Sequence, residues 1–92
     1  MFIYKISDSI VFNTLKDIEH GFLEIEKING QILKFGNPSD DLKVCIKIKD
    51  ESFNYNLIKN GSIGLGECYM KGFFTTNNLS DLIELTARNI KI

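Results

Sequence analysis

Gly21-Phe22-Leu23-Glu24-Ile25-Glu26-Lys27-Ile28-Asn29-Gly30-Gln31-Ile32-Leu33-Lys34-Phe35-Gly36 alternates apolar and charged residues around an Asn-Gly pair, which predicts a β-hairpin. The side chains also choose its register. A two-residue Asn29-Gly30 loop sets Glu26 opposite Leu33 and Glu24 opposite Phe35, driving charge into the apolar face. A three-residue loop, Ile28-Asn29-Gly30 with Gly30 left-handed, pairs Leu23 with Phe35 and Ile25 with Leu33. It also places Glu24 across from Lys34 on the opposite face. The three-residue loop is therefore expected.

Outward from the hairpin, Asn37-Pro38-Ser39-Asp40-Asp41 has loop composition and holds the chain's only proline. Leu42, Val44, Ile46 and Ile48 then alternate with Lys43, Cys45, Lys47 and Lys49, the pattern of a half-buried strand. Before the hairpin, Ser9 is placed to cap a helix reaching about Glu19, with Ile10, Val11, Thr14, Leu15 and Ile18 as its stripe and Gly21 as its end. Asp50 caps a second helix to about Lys59, with Phe53 and Leu57 facing inward. Phe73-Phe74-Thr75-Thr76 has the composition of a brief strand. Asn78, with Asp81 three residues on, opens a last helix whose stripe is Leu79, Leu82, Ile83, Thr86 and Ile90, widened by Leu85. The expected fold is α+β: a small, mostly antiparallel sheet of four strands with helices packed on one side.

Ninety-two residues are expected to form a single domain, residues 1–92, able to hold a modest core. The 43% apolar and 25% charged fractions are ordinary for a soluble globular domain. A formal charge of −1 argues against nucleic acid as partner. Cys45 and Cys68 lack CxxC spacing and His20 is the single histidine, so no metal site is expected and the thiols read as a reduced cytoplasmic pair. The opening Met1-Phe2-Ile3-Tyr4-Lys5-Ile6 is too short for a signal peptide or a membrane span, which leaves a cytoplasmic chain or one lying against a membrane surface.

Between the second helix and the brief strand lies Gly61-Ser62-Ile63-Gly64-Leu65-Gly66-Glu67-Cys68-Tyr69-Met70-Lys71-Gly72-Phe73. So many backbone exceptions around bulky side chains mark a specified turn-helix-turn, with a short helix over Glu67 to Lys71. This stretch resembles the G-S-L-G-L-G-E-x-Y-M-x-G segment near the N-terminus of cyclopropane-fatty-acyl-phospholipid synthases and related methyltransferases. Gly21-Phe22-Leu23-Glu24-Ile25, Asn29-Gly30, Phe35-Gly36 and the strand Leu42 to Ile48 fall in that family's order. Its ending is echoed by Ser80-Asp81-Leu82-Ile83-Glu84-Leu85-Thr86-Ala87-Arg88-Asn89. A weaker likeness, to sterol-carrier-type lipid-binding domains, points to the same topology and again to lipid.

The resemblance implies a non-catalytic N-terminal module that aids dimerisation and presents phospholipid to a catalytic domain using S-adenosylmethionine. The chain reaches Ile92 where the family continues into that methyltransferase domain. No strand, glycine-rich turn and acidic ribose ligand follow one another here, and Gly61, Gly64 and Gly66 give GxxGxG, the reverse of the dinucleotide fingerprint. No catalytic residue and no cofactor are therefore assigned to this chain. The partners expected are a methyltransferase domain or chain, a phospholipid surface at the inner membrane face, and a second copy in a homodimer. A small lipid carrier, or the inactive remnant of a split synthase gene, is the alternative.

The residues expected to contact partner or lipid are Gly66, Glu67, Tyr69, Met70, Gly72, Phe73 and Phe74, each with a structural alternative. Glu67 at the start of its short helix is placed to accept from the free N–H groups of the glycine turn. Tyr69 and Met70 read first as core wedges. Gly72 suits a left-handed turn. Phe73 and Phe74, adjacent on a strand, point to opposite faces, so one is expected inside and the other outside as an anchor. Lys43, Lys47 and Lys49 share a face that either meets anionic lipid or is simply solvated. His20 reads as a helix C-terminal cation.

Overall fold

The structure, a computed structural model, describes residues 2–89. Three helices and four strands follow in the order α1 (Phe2–Leu15), β1 (Phe22–Glu26), β2 (Ile32–Gly36), β3 (Lys43–Ile48), α2 (Phe53–Lys71), β4 (Phe74–Thr76) and α3 (Leu79–Arg88). The strands form one sheet in the order β2-β1-β3-β4. The class is α+β, as the patterning predicts.

The hairpin takes the expected register, with Leu23 paired to Phe35, Glu24 to Lys34 and Ile25 to Leu33. Gly30 has φ +88°, and the Lys27 N–H closes the loop on the Gln31 carbonyl at 2.8 Å. β3 and β4 are antiparallel, but β1 and β3 run parallel. The residues between Gly36 and Lys43 therefore cross the start of β1 and bond to it: the Asn37 N–H reaches the Gly21 carbonyl at 3.0 Å, and the Phe22 N–H reaches the Leu42 carbonyl at 2.8 Å. Asp40 organises the crossing, accepting from the Gly21 N–H at 3.1 Å and the Leu42 N–H at 2.9 Å. These two bonds hold its carboxyl below the ordinary carboxylate value, Leu42 contributing most. A side chain on Gly36 (φ +89°) has no room, since its Cβ would stand 2.2 Å from the Gly21 carbonyl oxygen.

Period-two patterning gives the sheet two unlike faces. Leu23, Ile25, Val44, Ile46, Ile48 and Phe74 are buried under the helices. On the other face Glu24 lies across from Lys34, Lys43 lies beside Phe22, and Lys47 lies beside Glu26 and reaches it at 3.4 Å. Of the expected lysine row, Lys47 is thus paired with a carboxylate.

α1 differs from expectation at both ends, starting at Phe2 rather than near Ser9 and stopping at Leu15 rather than Glu19. Ser7 and Thr14 donate their hydroxyls to the Ile3 and Ile10 carbonyls, each at 2.9 Å, so these polar residues sit inside the helix instead of capping it. Phe12, Leu15 and Ile18 pack on the core, whereas Ile10 is half exposed and Thr14 lies outside. His20 does not cap this helix. Its N–H and that of Glu19 donate to Asn89 Oδ1 at 3.1 and 3.0 Å, and Asn89 Nδ2 donates to the His20 and Leu85 carbonyls, both at 2.8 Å.

α3 begins as expected, Asn78 accepting from the Asp81 N–H at 3.1 Å. Leu82 and Leu85 are buried and Leu79 packs on the core, while Ile83 faces solvent. Ile90, the expected end of this stripe, lies outside the described residues. The N-cap of α2 is Ser52, without a side-chain cap bond, rather than the expected Asp50, whose carboxylate takes the N–H and the hydroxyl of Ser52; Phe53 and Leu57 turn inward. Among the described residues no helix is long and apolar enough to cross a membrane.

Candidate functional site

The glycine-rich stretch is more helical than its composition predicts. α2 runs through it, leaving helical geometry only at Gly61 (φ 56°, ψ −132°), a conformation open to glycine alone. The second segment, residues 62–71, folds back tightly because Gly64 has no side chain: its Cβ would meet the Asn56 carbonyl oxygen at 2.3 Å. Leu65 and Cys68 then turn inward, and burial raises the Cys68 thiol pKa. Gly72 ends the helix left-handed (φ 74°, ψ 23°), as expected, and the Phe73 N–H closes on the Cys68 carbonyl at 2.9 Å.

This longer helix relocates several predicted residues. Glu67 sits in mid-helix with its side chain exposed, not at an N-terminus, so the expected bond to free glycine N–H groups is not formed. Met70 is 87% exposed and is no core wedge. Tyr69 packs one side of its ring on Phe74, centroids 5.8 Å apart, yet stays 44% exposed. Phe74 is buried, stacking at an angle on Phe53 at 4.9 Å. Phe73 precedes β4 rather than joining it; it is half-buried against the core, with the Lys71 ammonium 5.7 Å from its ring, and is no free anchor.

The outward face is instead built from Ile63, Gly66, Glu67 and Met70, spaced i, i+3, i+4 and i+7 on one helical arc. Gly66 stands apart from its neighbours. It has no positive φ, and a Cβ there would meet nothing within 4 Å beyond the backbone of its own helix. A mid-helix glycine costs about 1 kcal/mol relative to alanine, and nothing within the fold requires this one. Between Ile63, 72% exposed, and Met70 it leaves a notch where another backbone can approach closely.

A second feature lies on the inner side. Between the sheet and the three helices is a half-open cavity of about 570 Å³. Leu23, Ile25 and Ile46 form its floor, with Leu15 from α1, Ile18 from the segment after it, Leu57 and Leu65 from α2, and Leu82 and Leu85 from α3 around it. Asn54, only 2% exposed, borders it; its Nδ2 donates to Asp8 at 2.9 Å, and its Oδ1 has no hydrogen-bond partner among the described residues. Sequence reasoning missed this residue, because an asparagine one position past a buried phenylalanine on a helix carries no periodic signal.

Among the described residues no group of three or more His, Cys, Asp or Glu side chains is arranged to hold a metal. Cys45 and Cys68 are free thiols; burial and then the neighbouring Glu24 raise the Cys45 pKa, so neither is an activated nucleophile. Comparison with known proteins finds no matching family model, curated protein or solved structure.

Proposed function

We propose that this chain is a non-catalytic accessory module of the cyclopropane-fatty-acyl-phospholipid synthase type, acting in phospholipid acyl-chain modification. In this reading it is cytoplasmic and peripheral at the inner membrane face, and it docks a methyltransferase domain that carries S-adenosylmethionine. The carrying observation is the arc of Ile63, Gly66 and Met70, a bulky apolar face around a glycine for which the fold itself has no use. It belongs to the same stretch that resembles the synthase motif. Packing a partner helix into that notch would repay the cost of Gly66.

Co-expression with a tagged synthase-type catalytic domain tests the reading. The two are expected to co-purify, and Met70→Asp or Gly66→Leu, both on the exposed arc, to abolish association without unfolding the domain. No association of the unaltered chain would count decisively against it.

The cavity favours a second reading, a small lipid-binding carrier of sterol-carrier type. Its volume lies within the roughly 300–1,000 Å³ of ordinary ligand pockets, and its walls are aliphatic. Nile red fluorescence on titration with the purified chain tests for an accessible apolar site, and a solid core would give no enhancement.

A further inference from the structure

The polar side chains around the cavity have most of their hydrogen-bond donors already spent. Thr14 and Thr86 each spend their hydroxyl proton on their own helix, on the Ile10 carbonyl at 2.9 Å and the Leu82 carbonyl at 3.0 Å. Asn54 spends one of its two amide N–H donors on Asp8. Asn89 spends its amide donors on the His20 and Leu85 carbonyls. Asp17, at the α1 end, brings a carboxylate. What remains for a ligand from the described side chains is mostly acceptors: hydroxyl lone pairs, a carboxylate, and in the wall the unpartnered carbonyl of Asn54, against one remaining Asn54 N–H. No lysine, arginine or histidine among the described residues borders the cavity.

An anionic head group entering here meets no cation and, from the side chains, at most one amide N–H, and loses most of its hydration without compensation. A head that donates hydrogen bonds is matched by most of the free polar groups. We infer that the cavity takes a single-chain amphiphile with a hydrogen-bond-donating head, a hydroxyl or an ammonium, and rejects fatty-acid anions. This rests on the lipid-carrier reading and adds the ligand's chemistry to it.

The test is displacement of Nile red from the purified chain at pH 8 by dodecanol, dodecylamine and laurate, which share one chain length. Dodecanol and dodecylamine are expected to displace the dye at concentrations at least tenfold below laurate. Asp17→Asn is expected to weaken dodecylamine while sparing dodecanol, which separates the ammonium from the hydroxyl. Thr86→Val keeps the shape of an exposed helical residue but removes an acceptor; it should weaken dodecanol by roughly three- to tenfold. Leu57→Trp, which fills the cavity, should abolish dye binding while circular dichroism stays unchanged. Laurate displacing as well as dodecanol overturns the ligand assignment and leaves the carrier reading standing. Failure of Nile red to bind the unaltered chain removes the carrier reading and the assignment together.

Discussion

Two glycines and one asparagine show how unequal single residues are in this chain. Gly36 is held at φ +89° against the Gly21 carbonyl, whereas Gly66 is ordinary helix facing open space. Gly36→Ala is therefore expected to lose at least about 2 kcal/mol through left-handed strain and the close contact. Gly66→Ala should instead gain about 0.5–1 kcal/mol in the isolated domain. Urea midpoints check both, and a destabilised Gly66→Ala would mean that the fold itself requires this glycine. Asn89 joins the end of α3 to the segment after α1 through three side-chain hydrogen bonds, with a fourth to the Leu85 carbonyl in its own helix. Its replacement by alanine should cost about 2–3 kcal/mol, read from the same denaturation curves. The residue pair Arg88-Asn89 was visible in the sequence, but not this use of Asn89, because its partners Glu19 and His20 lie about 70 positions away.

At the scale of elements, local chemistry was legible where a single rule dominates. The hairpin register followed from keeping Glu24 and Glu26 off the apolar face, and the α3 start from the Asn78 cap. Asn78→Ala should cost about 1 kcal/mol, measurable as a lowered thermal midpoint, with Asp81 amide exchange accelerated before the β-sheet amides. Elements were misjudged where propensity and packing conflict. Ser9 suggested a helix start, yet Ser7 and Thr14 satisfy their hydroxyls within α1 and the helix runs past them. Three glycines suggested a long turn before Glu67. Only Gly61 breaks the helix, because burying Leu65 and Cys68 against the sheet outweighs the poor propensity of Gly64 and Gly66. That outcome moved Glu67 from a helix start to an exposed mid-helix position and turned Met70 outward. The candidate site was thus legible as a segment and not as a set of roles.

At the scale of the whole molecule, the parallel β1–β3 pairing makes the crossing loop, and with it Asp40, a keystone of the sheet edge. The Asp40 carboxyl lies below its ordinary value through the Leu42 and Gly21 N–H groups, and the Asp50 carboxyl lies below its own through the hydroxyl and N–H of Ser52. A depressed folded-state pKa gives stability that is complete above the unfolded value near pH 4 and is lost as pH falls through the lower folded value. The urea midpoint should accordingly drop between pH 5 and pH 2, and drop less in Asp40→Asn. An equal drop in the variant would remove Asp40 from this role. The thiols provide a second global check: at pH 7.5 a disulfide reagent should modify Cys45 in the native protein and reach Cys68, 1% exposed, only on unfolding.

By itself the sequence determined the class, the strand faces, the hairpin register and the cap of the last helix. Each of these depends on period, charge and turn chemistry within about a dozen residues. Tertiary structure alone decided that β3 joins β1 in parallel, that the glycine stretch is helix with one break, and that three helices stand far enough apart to leave a largely aliphatic cavity. Those outcomes turn on which distant surfaces bury one another, and no local spacing encodes that competition.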